Sequence, residues 1–442
     1  MKAFHLRARI GAMVLCAITW LPVLPASAAN WLLLQGTEPA KAPAHRPFGF
    51  IGVGSLHTED SRLAAGAFAG QTMAANQIGP RLEEASEFQV SHLRLGLRGR
   101  LFDGKLGYLF SPLAGDNGVS YNGRPNVKLT DLSITLNLIP YVRIRIGQFK
   151  HPGSEEGLQP IVLRDYIRST NLSRQLTNER FFDHDGTLTT DDNVFDGPVS
   201  GWRDTGIQVF EALRTGAWEH TYALMAGTGS GLAIYNGSGS GRPDWHFYWS
   251  SEWLFGGKGP FREGLKLFGW YRGGARELRT GTEQRTRTFG RRRYGLGATF
   301  RRSPWRVAGE WVGADGMIPG GTDGAAVPGA VSNNGGMIAG HNVLPDNKAD
   351  GWYLDGGYTL FDRWELRARY DRLDRRTDGQ QTERRFETFT LGLTYRHNKH
   401  VRMLADYEFR EAEAPGLSGD ATPNQILSQV DDVFGIKLWV GF

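Results

Sequence analysis

The chain has 442 residues and a formal net charge of +5, with 59 glycines, 12% aromatic residues and 22% charged residues. Its single cysteine, Cys16, lies within the first 29 residues, so the rest of the chain offers no disulfide, no thiol nucleophile and no cysteine ligand for haem or metal. No run of about 18 apolar residues follows this N-terminal segment, so we expect no transmembrane helix.

The N-terminus has the three parts of a secretory signal peptide. Basic residues precede an apolar run over 10–24, and Ala26-Ser27-Ala28 follows as a small-residue cleavage site. We therefore expect residues 1–29 to be removed on export, with an uncleaved membrane anchor as the alternative. Cleavage would remove three basic residues and no acidic one, which lowers the net charge from +5 to +2. The charge then gives no reason to expect nucleic acid as a partner.

Residues 30–47 separate the predicted signal peptide from the first strand. They contain the apolar stretch Trp31-Leu32-Leu33-Leu34, followed by three prolines. We assign them to an N-terminal periplasmic segment. For the apolar stretch, a plug, a short periplasmic helix and a part of the first strand all remain open.

From residue 48 onward, apolar side chains alternate with polar ones, for example over 93–101, 364–371 and 389–396. Alternation places the two kinds of side chain on opposite faces of a strand. We assign sixteen strands, at about 48–56, 88–101, 104–110, 127–137, 141–150, 203–213, 217–228, 243–256, 264–275, 290–301, 305–313, 349–360, 363–374, 383–397, 399–411 and 430–442.

A soluble sheet would also alternate, but three features favour a membrane barrel. The strands are long, aromatic residues such as Trp249 and Trp305 crowd their ends, and short turns alternate with long loops. We therefore predict an all-β fold: a transmembrane, antiparallel, up-and-down β-barrel of about sixteen strands over 48–442. Outer-membrane lipids are then a partner.

The last strand favours the bacterial outer membrane as the location. Residues 434–442 alternate and end on an aromatic residue, Phe442. This resembles the C-terminal strand that outer-membrane proteins present to the barrel-assembly machinery, which we expect as a further partner. A chance edge strand would leave an aggregation-prone edge in a soluble protein.

A barrel of this size encloses water, and its polar face must line the lumen. Basic side chains outnumber acidic ones on that face, which favours anions. The alternative is that the arginines form salt-bridge ladders with lumen acids. The predicted pore-lining residues are Arg94, Arg98, Arg143, Arg145, Arg293, Arg367, Arg369 and Arg402.

The longest loop, over 151–202, is predicted to fold inward and constrict the lumen, since loops of this length are usually functional or disordered. An outward lid or a contact between subunits is the alternative. The candidate residues of this constriction loop are Arg164, Tyr166, Arg168, Arg174 and Arg180.

Motifs around this loop match a known family in order and spacing. Residues 145–152, Arg-Ile-Gly-Gln-Phe-Lys-His-Pro, are followed by Glu155-Glu156, Glu179-Arg180, an Arg-Asp-x-Gly segment at 203–206 and a glycine-rich segment at 226–231. Together they resemble the phosphate-selective porin O and P family. The resemblance implies a sixteen-stranded barrel, often trimeric, with an inward third loop. Residues 151–202 contain no lysine, however, whereas phosphate-specific members use lysine clusters.

The predicted function is an outer-membrane porin that lets small polar or anionic solutes diffuse through a water-filled channel, with phosphate-type anions among the candidates. The alternative is a non-conducting sheath around a periplasmic multihaem cytochrome. We expect no enzymatic activity, because the chain contains no Gly-x-Ser-x-Gly, P-loop or His-Glu-x-x-His motif. We also expect no metal site and no cofactor, and a homotrimer as the assembly.

Overall fold

The structure is a computed structural model. It describes residues 24–25, 30–39, 42–58, 61–62, 64–65, 69–70, 72–73, 85–115, 127–179, 200–232, 240–257, 259, 261–280, 285–331 and 337–442. Apart from residues 24–25, the predicted signal peptide lies outside these ranges.

Sixteen strands of the described residues form one closed barrel. Each strand pairs antiparallel with its neighbour in the sequence, and the first pairs with the last. The predicted fold class and strand count are thus confirmed. The strands are β1 (Arg46–Thr58), β2 (Ala85–Leu101), β3 (Leu106–Ala114), β4 (Lys128–Ile139), β5 (Val142–Lys150), β6 (Arg203–Thr215), β7 (Trp218–Gly227), β8 (Asp244–Gly256), β9 (Glu263–Thr280), β10 (Arg285–Arg302), β11 (Trp305–Asp315), β12 (Lys348–Phe361), β13 (Trp364–Arg375), β14 (Arg384–Arg396), β15 (Val401–Glu413) and β16 (Val433–Gly441).

The alternating sequence determines which side chains face outward. In β13, Trp364 and Leu366 are exposed, whereas Glu365, Arg367 and Arg369 are buried. An outer face of exposed apolar side chains around a charged interior is the reverse of a soluble barrel and suits a lipid surrounding. Tryptophans on the outer faces of β8, β11 and β12 supply the aromatic residues that mark membrane interfaces.

The connections differ in length at the two ends of the barrel. At the short-turn end, β10 and β11 are joined by Ser303-Pro304, and β12 and β13 by Asp362-Arg363. At the long-loop end, the prediction of a loop over 276–289 was wrong, because β9 and β10 pair continuously from Gly264↔Arg301 to Thr280↔Arg285. These strands continue the ladder through polar residues, where the sequence has no alternation to mark a strand.

Small elements complete the described fold. Leu24–Pro25 pairs with residues 213–214 of β6, Ser61–Arg62 pairs with Thr72–Met73, and Ile318–Val331 pairs with Met337–Leu344. The helices are α1 (Glu155–Leu158), α2 (Thr422–Leu427), two 3-10 turns (Phe102–Gly104 and Ile161–Leu163) and a π-helical turn (Ser173–Thr177). Among the described residues, no helix combines the length and the apolar character that a membrane span requires.

Residues 30–38 lie inside the barrel, which corrects the prediction that 30–47 is a periplasmic segment. Asn30 Nδ2 donates to Thr221 Oγ1 over 2.7 Å, and Arg98 Nη2 donates to the carbonyl oxygen of Leu34 over 3.0 Å. Leu32 is buried in an apolar cluster with leucines of the 151–179 segment. Burial of these apolar side chains is favourable, and the lumen holds a matching apolar surface. The segment's last two residues, 46–47, belong to β1.

Candidate functional site

The segment 151–179, between β5 and β6, crosses the lumen, so the prediction of an inward third loop is confirmed. Tyr166 Oη donates to Asp355 Oδ1 over 2.7 Å, and the backbone N–H of Ile167 donates to Asp406 Oδ2 over 2.6 Å. The backbone N–H of Asn171 donates to a carboxylate oxygen of β13 over 2.8 Å. Acidic side chains on β12, β13 and β15 thus hold the loop through one tyrosine hydroxyl group and two backbone N–H groups.

The N-terminal segment, the loop and the wall meet at Glu155. Trp31 Nε1 donates to Glu155 Oε1 over 2.7 Å, and Lys266 of β9 donates to the other carboxylate oxygen over 2.6 Å. All three side chains are buried. One carboxylate therefore joins the two segments that occupy the lumen to the barrel wall.

The structure places all eight predicted pore-lining arginines on the inner face, in two groups. Five form ion pairs with carboxylates, at nitrogen–oxygen distances of up to 3.6 Å: Arg94, Arg98, Arg143, Arg367 and Arg369. The other three have no ion pair among the described residues and donate to backbone carbonyl oxygens instead: Arg145, Arg293 and Arg402. The salt-bridge ladder thus accounts for a part of the set.

The candidate residues of the constriction loop have different surroundings. Tyr166 lies beneath two guanidinium groups of β13, at 4.8 and 4.3 Å from its ring centre. Arg168 pairs with Glu408 at 3.3 Å, and Arg174 donates to Asn171 Oδ1 over 2.9 Å. Arg164 lies over the ring of Trp202 at 4.3 Å. Arg180 lies outside the described residues. The proposed role of these residues in a constriction stays a prediction.

On one side of the lumen, buried charges form what we call the arginine cluster: Glu179 and Asp244 with Arg272, Arg276 and Arg291. Arg276 bridges both acids, at 2.7 Å from Glu179 and 2.8 Å from Asp244. Arg272 also pairs with both acids, at 2.8 Å from Glu179 and 2.9 Å from Asp244. Arg291 pairs with Glu179 alone, at 3.2 Å. The cluster attaches the end of the loop to β8, β9 and β10.

The cluster also determines how Glu179 ionises. Burial alone would raise the pKa of this carboxyl group, but the guanidinium groups of Arg276, Arg291 and Arg272 outweigh burial and lower the pKa to about 2. Glu179 is therefore ionised throughout the physiological pH range, and the loop stays attached there by full charges.

One group of side chains next to the cluster has the composition of a cation site. Oxygens of Asp204 and Asp244 and a ring nitrogen of His246 all lie within 4.8 Å of one another. However, Asp244 already accepts hydrogen bonds from two guanidinium groups, and Asp204 accepts from the backbone N–H groups of residues 229 and 230. Two neighbouring arginines would repel a metal ion, so the arrangement fits an extension of the arginine cluster better than a metal centre.

On the other side of the lumen lies a cavity of about 450 Å³, which we call the chamber. Its walls come from β1 to β6, β15 and β16, from 158–164 of the loop and from Leu34 and Gln35. Exposed residues of the turn 398–400 form its rim, so the chamber opens at the short-turn end. The N-terminal segment and the loop close its inner side.

Sequence reasoning missed several residues that the structure brings together here. Lys150 and Arg203, at the end of β5 and the start of β6, both line the chamber. Both residues belong to the motifs that carry the family resemblance, and this membership could have identified them as candidates. The burial of Trp31 was harder to predict from the sequence. The only indication was that the apolar stretch 31–34 has to pack against another part of the protein.

The barrel is similar to solved structures of outer-membrane proteins. An anion-selective porin from Comamonas acidovorans shares 13% identity, with 90% of this chain and 99% of that chain covered and a TM-score of 0.52. OmpF of Salmonella typhi, in complex with daunomycin, shares 10% identity, with coverage of 90% and 97% and a TM-score of 0.51. OmpT of Vibrio cholerae shares 10%, with coverage of 91% and 99% and a TM-score of 0.50.

At these identities the likeness is one of fold. No protein-family model matches the chain, and no curated protein does. The resemblance to the phosphate-selective porin O and P family therefore rests on the motifs alone.

Proposed function

We propose that the protein is an outer-membrane porin through which small polar or anionic solutes diffuse. The observation that carries the proposal is the closed sixteen-stranded barrel whose apolar face points outward and whose arginine-rich face surrounds a lumen narrowed by an inward loop. Closed barrels with this polarity are the strand architecture that can cross a bilayer. The likeness in fold to porins supports the same function.

Anion preference is the finer part of the proposal. Arg145, Arg293 and Arg402 face inward, form no ion pair within the described structure and donate to backbone carbonyl oxygens instead. Fixed positive charge in a confined, water-containing space raises the local concentration of anions. We expect phosphate to pass as one anion among others, because the loop over 151–202 has no lysine.

The sheath around a multihaem cytochrome is less compatible with the interior. Residues 30–38 and 151–179 occupy the lumen and bond to its wall on several strands. A sheath would need that space for a folded haem protein. The porin hypothesis needs only paths for small solutes beside the loop.

Location and assembly belong to the same proposal. The export signal predicted over 1–29 and the alternation of apolar residues along β16 support insertion into the outer membrane by the barrel-assembly machinery. The family resemblance implies a homotrimer, which native mass spectrometry in detergent would test by its mass.

Planar-bilayer recording of the purified mature protein tests the channel function directly. We expect discrete conductance steps. Under a salt gradient, the sign of the reversal potential should indicate anion preference at low salt, and this preference should fade at high salt. Bilayers that stay silent with correctly folded protein would contradict the porin function. Steps with cation preference would contradict only the proposed selectivity.

A further inference from the structure

The geometry points to the chamber as a binding site for an organic anion that joins a carboxylate to a compact apolar body, the chemistry of an aromatic monocarboxylate. This inference rests on the proposed porin function and names a class of solute for it.

The chamber carries an excess of positive charge. Asp131 is the one acidic side chain among the described residues that line it. It is already bound by Arg203, at 3.2 and 3.1 Å, and by Arg94 at 3.4 Å. Lys150 also lines the chamber, and its Nζ donates to the carbonyl oxygens of residues 157 and 159. It forms no ion pair with the residues that the structure describes.

Two further lining arginines form no ion pair within the described structure. Arg164 and Arg402 are 7% and 8% exposed. Arg164 Nη1 donates to Ser169 Oγ over 2.9 Å, and Arg402 Nη2 donates to the carbonyl oxygen of Arg164. Among the described residues, the Nε atoms of both side chains and Nη1 of Arg402 are buried and have no hydrogen-bond acceptor. Buried cations in this state are costly, and the negative charge of an anion in the chamber would compensate them by electrostatic attraction.

The remaining walls explain why the anion should be organic. Phe50, Leu109, Trp202 and Trp439 line the same cavity. A phosphate ion needs donors around all of its oxygens, and an apolar wall would leave some of them unpaired. An aromatic ring instead gains from contact with these side chains. The cavity volume of about 450 Å³ lies within the usual range for small-molecule sites.

The residues at the opening of the chamber also favour a ligand of this kind. Lys399 and His400 lie at its rim with Phe442 beside them, so basic and aromatic groups line the way in from the short-turn end. The entrance therefore combines basic and aromatic side chains, as the interior of the chamber does. A ligand of mixed character would be attracted by the charge and then retained by the apolar surface.

Isothermal titration calorimetry on the full mature protein in detergent tests the site without depending on conductance. Three probes separate the contribution of the negative charge from that of the apolar ring: sodium benzoate, uncharged benzyl alcohol and inorganic phosphate. We expect saturable binding of benzoate, with an affinity at least about tenfold above that of either other probe, since each lacks one of the two contributions. Phosphate binding as tight as benzoate, or no benzoate binding by folded protein, would overturn the proposal.

Variants then locate the binding. Arg402→Gln should weaken benzoate binding by about tenfold, the effect of one lost charge-assisted hydrogen bond, and Arg402→Lys should restore part of it. Arg372→Gln is the matched control, because Arg372 pairs with Asp374 away from the chamber. Heat-modifiable gel migration checks that each variant is folded. Equal affinities for Arg402→Gln and the control would refute the assigned site.

Conductance of the same preparations separates this inference from the function on which it rests. Benzoate binding by a protein that forms no channel would support the chamber and contradict the porin. Conductance without benzoate binding would support the porin and contradict the chamber.

Discussion

The two sides of the lumen use arginine in opposite ways. In the arginine cluster, each guanidinium group contacts at least one carboxylate, and the loop is held against β8, β9 and β10. In the chamber, Arg164 and Arg402 contact no carboxylate of the described structure and face a cavity. The same residue type therefore stabilises the loop where acids are present and leaves charge available for solutes where acids are scarce.

Glu179→Gln should have the largest effect, because it removes the acid that three arginines share. Truncating one partner of a buried ion pair typically costs about 3–5 kcal/mol, since the remaining charges stay buried without compensation. We expect a lower thermal transition in detergent and faster proteolysis within the loop. The matched control is Asp315→Asn, whose ion pair with Arg292 is largely exposed and should be worth less than about 1 kcal/mol. Equal losses in both variants would contradict the special role of the cluster.

Leu32→Ala should come next, because Leu32 is fully buried in the apolar cluster between the N-terminal segment and the loop. Truncations of this kind cost about 2–5 kcal/mol in well-packed cores. The thermal transition measures the loss. Deletion of 30–38 should in addition raise single-channel conductance, because it removes one wall of the chamber and leaves the arginine cluster intact. An unchanged conductance after the deletion would show that the N-terminal segment does not limit the path.

Acidification should release the loop from the arginine cluster. The pKa of Glu179 is lowered to about 2 and that of Asp165 to about 2, because arginines outweigh the effect of burial. A depressed carboxyl pKa stabilises the folded state above the ordinary pKa, and this contribution is lost as the pH falls towards the folded value. Proteolysis of the loop by an acid-tolerant protease should thus accelerate between about pH 4 and pH 2. Glu179→Gln should show a weaker dependence, and an equally steep profile in that variant would exclude Glu179 as a cause.

The smallest effects should be those on selectivity. Arg164→Ser and Arg168→Ser each remove one positive charge, which acts over about one Debye length, roughly 10 Å at 0.1 M salt. Both should shift the reversal potential towards cations at low salt. Only Arg168→Ser should also loosen the loop, because Glu408 loses its partner at 3.3 Å. The triple change that adds Arg174→Ser should give the largest shift, and an unchanged potential would contradict a constriction at this loop.

The barrel could be predicted from the sequence because alternation is a local signal. All sixteen strands were found by the period of their apolar side chains, most of them within a few residues, and Arg367 and Arg369 were assigned to the inner face in the same way. The extension of β9 and β10 was missed because the sequence over 276–289 is mostly polar and shows no regular alternation.

Partners inside the lumen could not be predicted by such a local rule. Glu179 and Arg272 are 93 positions apart, and they meet only because the loop turns inward and runs across the lumen. The division of the arginines into paired and unpaired groups depends on that path. The same holds for Trp31, whose position beside Glu155 follows from the fold of a segment 124 positions away.

Closure of the barrel has a consequence for the order of its assembly. The hydrogen bond from Thr58 Oγ1 to the carbonyl oxygen of Asp432 joins residues 374 positions apart, and the pairing of β1 with β16 completes the ring. Residues 30–38 lie shortly before β1 in the sequence and are held within that ring. If the ring closed first, this segment and the loop would have to thread into a finished cylinder. We therefore expect the contents of the lumen to be in place before the seam between the first and the last strand forms, so the seam would be a late step of folding.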